Sequence, residues 1–140
     1  MQERLMGLDY GDSRTGVAVS DLLGITAQGV ESIKHTGEKQ LLNRLREIIE
    51  EYQVKKIVIG LPLNMNATSG ARVEKTKKFI EKLKTEFGLE VITIDERLTT
   101  VASHRTMTEL GVNKNKKKNI VDMMSAVLIL QMYMDRSKNI

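Results

Sequence analysis

Apolar positions recur at two different periods along the 140-residue chain, and the switches between them mark its elements. Leu5–Tyr10 and Gly16–Ser20 are β-type runs joined by a short polar turn containing Gly11, Asp12 and Ser13, which predicts a hairpin. Gly29–Lys34 is a third antiparallel strand. The period then lengthens. Over Glu38–Gln53, the side chains of Leu41, Leu45, Ile48, Ile49 and Tyr52 fall on one face of a helix. "KKIVIGLP" follows as a short buried strand closed by Pro62, the one proline. Val73–Phe87 is a second amphipathic helix and "LEVITIDE" the next strand. A further helix is expected from Thr99 or Thr100 to Gly111, a fitting C-terminal glycine. A lysine-rich loop comes next. Asn119 is a good N-cap for a last helix, Ile120–Arg136, which is apolar nearly all round and should be deeply packed.

The predicted order is βββαβαβαα. Three consecutive strands make an antiparallel meander, and later strands add in parallel through right-handed crossovers. The expected fold is α/β: a mixed five-stranded sheet with helices on both faces, built as one domain over residues 1–140. In such sheets, sites form beyond the carboxyl ends of the parallel strands.

Composition narrows the chemistry. Cysteine is absent, so disulfides, thiolate metal sites and cysteine nucleophiles are excluded. His35 and His104 are the only histidines, which excludes a histidine-rich metal site. The longest apolar segment, "NIVDMMSAVLILQMYM", holds an acid and is short of the roughly 20 residues of a membrane span. No secretory segment is expected at the N-terminus, and a cytoplasmic protein without membrane contact is the default reading. The net charge is +4. Without the four lysines of "KNKKK" (Lys114, Lys116, Lys117 and Lys118), basic and acidic residues balance at 18 each. The excess is therefore local; a local basic segment suggests a polyanion partner, a solvated charge run being the more common explanation. With two Phe, three Tyr and no Trp, recognition through backbone and shape is favoured over base stacking.

Three carboxylates stand out by context. Asp9 lies inside the first strand, Glu96 where "LEVITIDE" runs out, and Asp122 in the first turn of the apolar last helix. Each alone has an ordinary explanation: a turn acceptor, a strand-end acid, a complement to the helix dipole. Brought together, they make a cluster in which either pKa values rise or cations arrive. Unit charges about 4 Å apart repel by roughly 4 kcal/mol at an effective dielectric of 20. Hard carboxylate oxygens suit magnesium or manganese, and two such ions can activate water and stabilise the leaving oxygen of a phosphodiester. Asp12, Asp21 and Asp95 compete for these places. Strand alternation leaves Asp95 and Glu96 both open, because Val91, Ile92 and Ile94 are apolar on both faces.

Four ordered motifs, "LDYGDSRTGVAVSD", "VIGLPLNMNATSGAR", "IDERLTT" and "VDMMSAVLILQ", carry a resemblance along nearly the whole chain. The sequence resembles the YqgF family of ribonuclease H-like proteins, also known as Holliday junction resolvases or pre-16S ribosomal RNA nucleases. The resemblance implies a ribonuclease H-like fold and a metal-dependent nuclease site with Asp9, Glu96 and Asp122 as its carboxylates, selecting Glu96 over Asp95. Three positions depart from the family pattern: Ala67 follows Asn66 where glycine is usual, Thr15 stands where isoleucine is common, and Met124-Ser125 replace smaller residues.

Around that site, Arg14 is expected to meet a substrate phosphate, the alternative being a surface pair with Asp12. Asn64, Asn66, Thr68 and Ser69 are loop residues that either bond substrate or make turns. Arg72 and Arg97 brace a carboxylate or reach a phosphate, and Lys114, Lys116, Lys117 and Lys118 hold a nucleic-acid backbone. His104 is expected to be a surface or packing residue.

The leading function is a metal-dependent endonuclease on structured nucleic acid. Maturation of pre-16S ribosomal RNA on ribosomal precursors is favoured over junction resolution on branched DNA, by a monomer or homodimer. Two other classes compete. One is an actin-like-fold ATPase, because Asp9–Gly16 also fits a DxGxxxxG phosphate loop. The other is a non-catalytic RNA- or ribosome-binding factor.

Overall fold

The computed structural model describes residues 3–61, 70–95 and 114–138, with only the backbone of 114–119 and 137–138. Five strands are present: β1 (Arg4–Asp9), β2 (Arg14–Ser20), β3 (Ala27–Lys34), β4 (Val54–Leu61) and β5 (Glu90–Asp95). They form one sheet in the order β3-β2-β1-β4-β5. β1–β2 and β2–β3 are antiparallel, and β4 joins β1 and β5 in parallel. The mixed five-stranded sheet expected from the sequence is therefore observed. Three helices are described: α1 (Glu38–Tyr52), α2 (Ala71–Phe87) and α3 (Lys114–Lys138). The helix expected between Thr99 and Gly111 lies outside the described residues.

Alternation along the strands sends side chains to two separate cores. On one face, Met6, Leu8, Val17, Val19, Ile57 and Ile59 pack against Leu41, Leu45 and Ile48 of α1 and Phe79, Ile80 and Leu83 of α2. Each such side chain contributes about 1.5–3 kcal/mol by leaving water. On the other face, Ala18, Val58 and Ile94 pack against Ala126, Ile129, Leu130 and Met134 of α3. Along the last helix Val121, Ser125, Ala126, Ile129, Leu130 and Met134 are buried, whereas Met124, Val127, Leu128 and Met132 are only partly buried.

The lysine run is not a loop. α3 begins at Lys114, about a turn and a half before the expected cap at Asn119. Lysine is a good helix former, and no glycine or proline stands between Lys114 and Lys138 to stop propagation. Cations at a helix N-terminus oppose the dipole, so this extension carries an electrostatic cost.

Helix α3 crosses the meander along a trough of small residues. Gly7, Ala18 and Gly29 are register partners across β1, β2 and β3, and so are Asp9, Gly16 and Ser32. A Cβ on Gly7 would meet Leu130 Cβ at 2.7 Å and the Ala126 carbonyl at 2.8 Å. One on Gly16 would lie 1.9 Å from the Asp122 carbonyl oxygen. The helix backbone thus rests directly on strand backbone at two points, and these contacts set where Asp122 stands.

Candidate active site

Asp9 ends β1 at the carboxyl edge of the parallel strands. Its partner Gly16 lies directly under the backbone of Asp122. Asp9, Gly16 and Ser32 share the face on which α3 packs, so the first and last of the expected carboxylates are brought to one end of one face. This is what an acid inside a strand accomplishes: its side chain is aimed by the pleat, and a missing Cβ two strand positions into β2 admits the helix that brings the second acid.

Asp122 is about one-quarter exposed. Its Oδ2 accepts a hydrogen bond from Ser32 Oγ at 3.3 Å and lies 3.5 Å from the Arg14 Nε. Arg14 therefore turns towards the acids. The alternative partner, Asp12, is held elsewhere: it pairs with Arg72 at 3.1 Å and Lys75 at 2.5 Å. The Lys75 hydrogen bond, followed by the Arg72 charge, lowers the pKa of its carboxyl below the ordinary 3.8. Arg72 also donates to the Tyr10 carbonyl at 2.8 Å. It thus braces the β1–β2 turn rather than Asp9 or Asp122 directly.

The other competing acids separate by place. Asp21 closes the β2–β3 turn at the far end of β2, accepting from the backbone N–H groups of Ile25 at 2.8 Å and Thr26 at 3.3 Å. Asp95 pairs with Leu61, one step out of phase with the Gly60–Ile94 pair, and Ile94 belongs to the α3 core. Alternation puts Asp95 on the opposite face from Asp9. The two faces that look alike in "VITID" are distinguished by which helix covers them. Glu96, Arg97, His104, Asn64, Asn66, Ala67, Thr68 and Ser69 lie outside the described residues. Lys114, Lys116, Lys117 and Lys118 fall on the first turns of α3, eight to four residues before Asp122, or about 12 to 6 Å along the axis.

Asp9 and Asp122 offer hard oxygen donors at a shared edge, the donor chemistry that a divalent cation of the magnesium type requires. Among the described residues no group of three or more candidate ligands is assembled. Ser32, and the close helix contact at Gly16, are features of the candidate site that the sequence alone does not flag. Glycine at position 16 has a steric signal only once α3 is in place, and Ser32 is identified only by register.

Comparison with known proteins places the chain in a family. Residues 3–136 match the family model RuvX, described as Holliday junction resolvase. The chain belongs to this family. A "Putative pre-16S rRNA nuclease" of Ruminiclostridium cellulolyticum is 58% identical over 134 residues, covering 95% of this chain and 94% of the relative. One from Clostridioides difficile is 54% identical over 132 residues, covering 94% of each. Among solved structures, Thermus thermophilus RuvC in complex with a Holliday junction substrate superposes with a TM-score of 0.59 at 12% identity, covering 98% and 96% of the two chains. The fowlpox virus Holliday junction resolvase gives 0.58 at 14% identity, covering 96% and 99%. The fold is ribonuclease H-like. The RuvX family member is a nuclease, a hydrolase of phosphodiester bonds acting on nucleic acid. Divalent-metal use is general to such nucleases. Family membership decides against the ATPase reading of the DxGxxxxG segment. No helix among the described residues is long and apolar enough to cross a membrane.

Proposed function

We propose that this RuvX family member is a cytoplasmic, metal-dependent endonuclease that matures the precursor of 16S ribosomal RNA, built as one domain with Asp9, Glu96 and Asp122 as its catalytic carboxylates. The observation that carries the reading is the row Asp9–Gly16–Ser32 lying under Asp122. Relatives of over 50% identity along nearly their whole length bear the pre-16S name, which favours ribosomal RNA as substrate. The family motif "IDERLTT" supports Glu96, next in sequence after β5, as the third carboxylate of this reading.

Hydrolysis adds the oxygen of water to phosphorus, expels one ester oxygen and concentrates negative charge on the phosphoryl oxygens. Magnesium or manganese, most simply as two ions, would lower the pKa of a bound water and balance charge on the leaving oxygen. Asp9 and Asp122, with Glu96, would hold these ions. Ser32 orients Asp122 by its hydrogen bond. Arg14, beside Asp122, is placed to meet a phosphoryl oxygen, a contact worth more as charge builds. Arg72 keeps the β1–β2 turn in place behind Asp9. The cationic first turns of α3 would follow the substrate backbone past the acids, and in our reading Asn64 and Arg97 add substrate contacts.

The test is cleavage of precursor 16S RNA and of a synthetic four-way junction, with magnesium or manganese, by wild type and by Asp9→Asn, Glu96→Gln and Asp122→Asn. We expect RNA cutting by wild type as a monomer, and loss in each variant with binding retained. Cleavage of the junction alone, by a two-fold dimer, would replace the ribosomal reading with junction resolution.

A further inference from the structure

Beside the acids, where β2 begins and β3 ends, a cavity of about 330 Å³ is lined by Ser13, Arg14, Lys34, His35, Thr36 and Gln40. None of Ser13, Lys34, His35, Thr36 or Gln40 has a part in the carboxylate site. Arg14 and Lys34 are direct cross-strand partners. Like charges opposite one another across a strand pair are destabilising, so this pairing asks for an anion between or beside them. Arg14 leans to Asp122, whereas Lys34 is exposed and makes no ion pair among the described residues.

His35 adds a directed donor. Its residue is 6% exposed, and its Nε2 lies 2.9 Å from Thr15 Oγ1. Thr15 is fully buried, and its oxygen already accepts from the Gly11 N–H at 3.4 Å. The hydroxyl proton needs an acceptor, and Nε2 is the one within reach. With the Thr15 hydroxyl donating to Nε2, the neutral ring carries its proton on Nδ1. Nδ1 has no protein partner among the described residues, yet no buried side-chain nitrogen or oxygen there is left unsatisfied. Its N–H is accordingly accessible, on a residue that lines the cavity. The threonine at position 15, a departure from the family pattern, is what sets this tautomer. The α1 N-terminus, capped by Gly37 without a side-chain hydrogen bond, opens beside the same residues and adds its partial positive charge.

We propose that this cavity is a second phosphate subsite, in which Lys34, the His35 Nδ1–H and the Ser13 hydroxyl hold a backbone phosphodiester next to the one presented to the carboxylates, with Arg14 between the two. The proposal rests on the nuclease reading for the identity of its ligand, a nucleic-acid strand. Its residues contact a flanking phosphate and leave the chemical step to the acids. Strength of binding and salt dependence should therefore change when they are altered, with little effect on turnover at saturating substrate.

The experiment uses the full chain and a defined single-stranded oligoribonucleotide. In an Asp9→Asn background, Lys34→Glu should weaken binding about tenfold and lower the salt-dependence slope by roughly 0.7 or more. Lys55→Glu makes the same change of charge on an exposed residue at the opposite end of the sheet and should leave both nearly unchanged. In a His104→Gln chain, where His35 is the one histidine left, its ring nitrogen and proton signals should shift on addition of the oligonucleotide. The shift should disappear with Lys34→Glu. Equal effects of Lys34→Glu and Lys55→Glu, or a bound oligonucleotide that leaves the His35 signals unmoved, would overturn the subsite. The outcomes separate the two readings. Wild type that binds through Lys34 and His35 but never cleaves keeps the subsite and removes the nuclease reading; wild type that cleaves while Lys34→Glu matches Lys55→Glu does the reverse.

Discussion

Replacing Gly16 by alanine tests how the fold positions Asp122. The added Cβ would lie 1.9 Å from the Asp122 carbonyl oxygen, 2.4 Å from its carbonyl carbon and 3.0 Å from the Met123 nitrogen. All three are backbone atoms of a helix and none can rotate away. To restore ordinary contact near 3.4 Å, α3 must retreat from β2 by about 1.5 Å. Overpacking of this kind costs about 1–3 kcal/mol. For a chain of this size that corresponds to a fall in Tm of roughly 3–12 °C. The same retreat takes Asp122 away from Asp9, and a misplacement of about 1 Å in a catalytic group can cost about a hundredfold in rate. Gly29→Ala is the matched control: the three atoms nearest its Cβ all belong to the Met123 side chain, Cγ at 2.7 Å and Sδ at 2.8 Å among them, and a methionine can turn aside. Thermal melts and metal-dependent cleavage should show Gly16→Ala folded, less stable and at least about a hundredfold slower, with Gly29→Ala near wild type. Equal stability and activity in the two variants would refute the argument that close backbone contact at Gly16 places the second acid.

Arg72→Ala removes the hydrogen bond to the Tyr10 carbonyl and the pair with Asp12; it should lower stability by about 1 kcal/mol in thermal melts, and an unchanged Tm would remove Arg72 from holding the turn. His35 is held below its ordinary pKa of 6.5, chiefly by burial and further by Lys75, with Asp12 opposing. The unfolded chain then binds the proton more tightly, so stability should fall as pH drops through the window below 6.5 and level off under the folded-state pKa. Urea denaturation at a series of pH values should show a shallower fall in His35→Gln than in wild type, and parallel curves would contradict this. Alanine at Lys114, Lys116, Lys117 and Lys118 should keep the helix, since alanine is the better helix former, and flatten the salt dependence of RNA binding; an unchanged slope would leave the run without a backbone contact.

Most of the architecture was legible because each element keeps its period. The strands and first two helices were bounded by glycine, proline and polar turns, and Asp9 and Asp122 were conspicuous as acids among apolar neighbours. Asp95 could not be separated from Glu96 because β5 is covered on both sides. Val91 packs towards α1 and α2 while Ile92 and Ile94 pack towards α3, and neither side reads as polar. The start of α3 is not legible for a different reason. Asn119 is an adequate cap, but a cap signal does not end a helix that good helix formers can continue backwards. The partners of Arg14 and Arg72, and the placement of Ser32, Lys34 and His35, depend on strand register and on contacts between distant segments. Residues 9, 16, 32 and 122 become neighbours only when three strands and the last helix are assembled.

The central claim is that Asp9 and Asp122 belong to one divalent-cation site. Calorimetric titration with manganese, paired with thermal melts, tests it most directly. Saturation at about 100 times Kd should stabilise wild type by about 2.7 kcal/mol. Asp9→Asn and Asp122→Asn should each abolish both the binding heat and the rise in Tm, while Asp12→Asn and Asp21→Asn, at the turns, retain them. Undiminished manganese binding in either Asp9→Asn or Asp122→Asn, or equal loss in all four variants, would contradict the account.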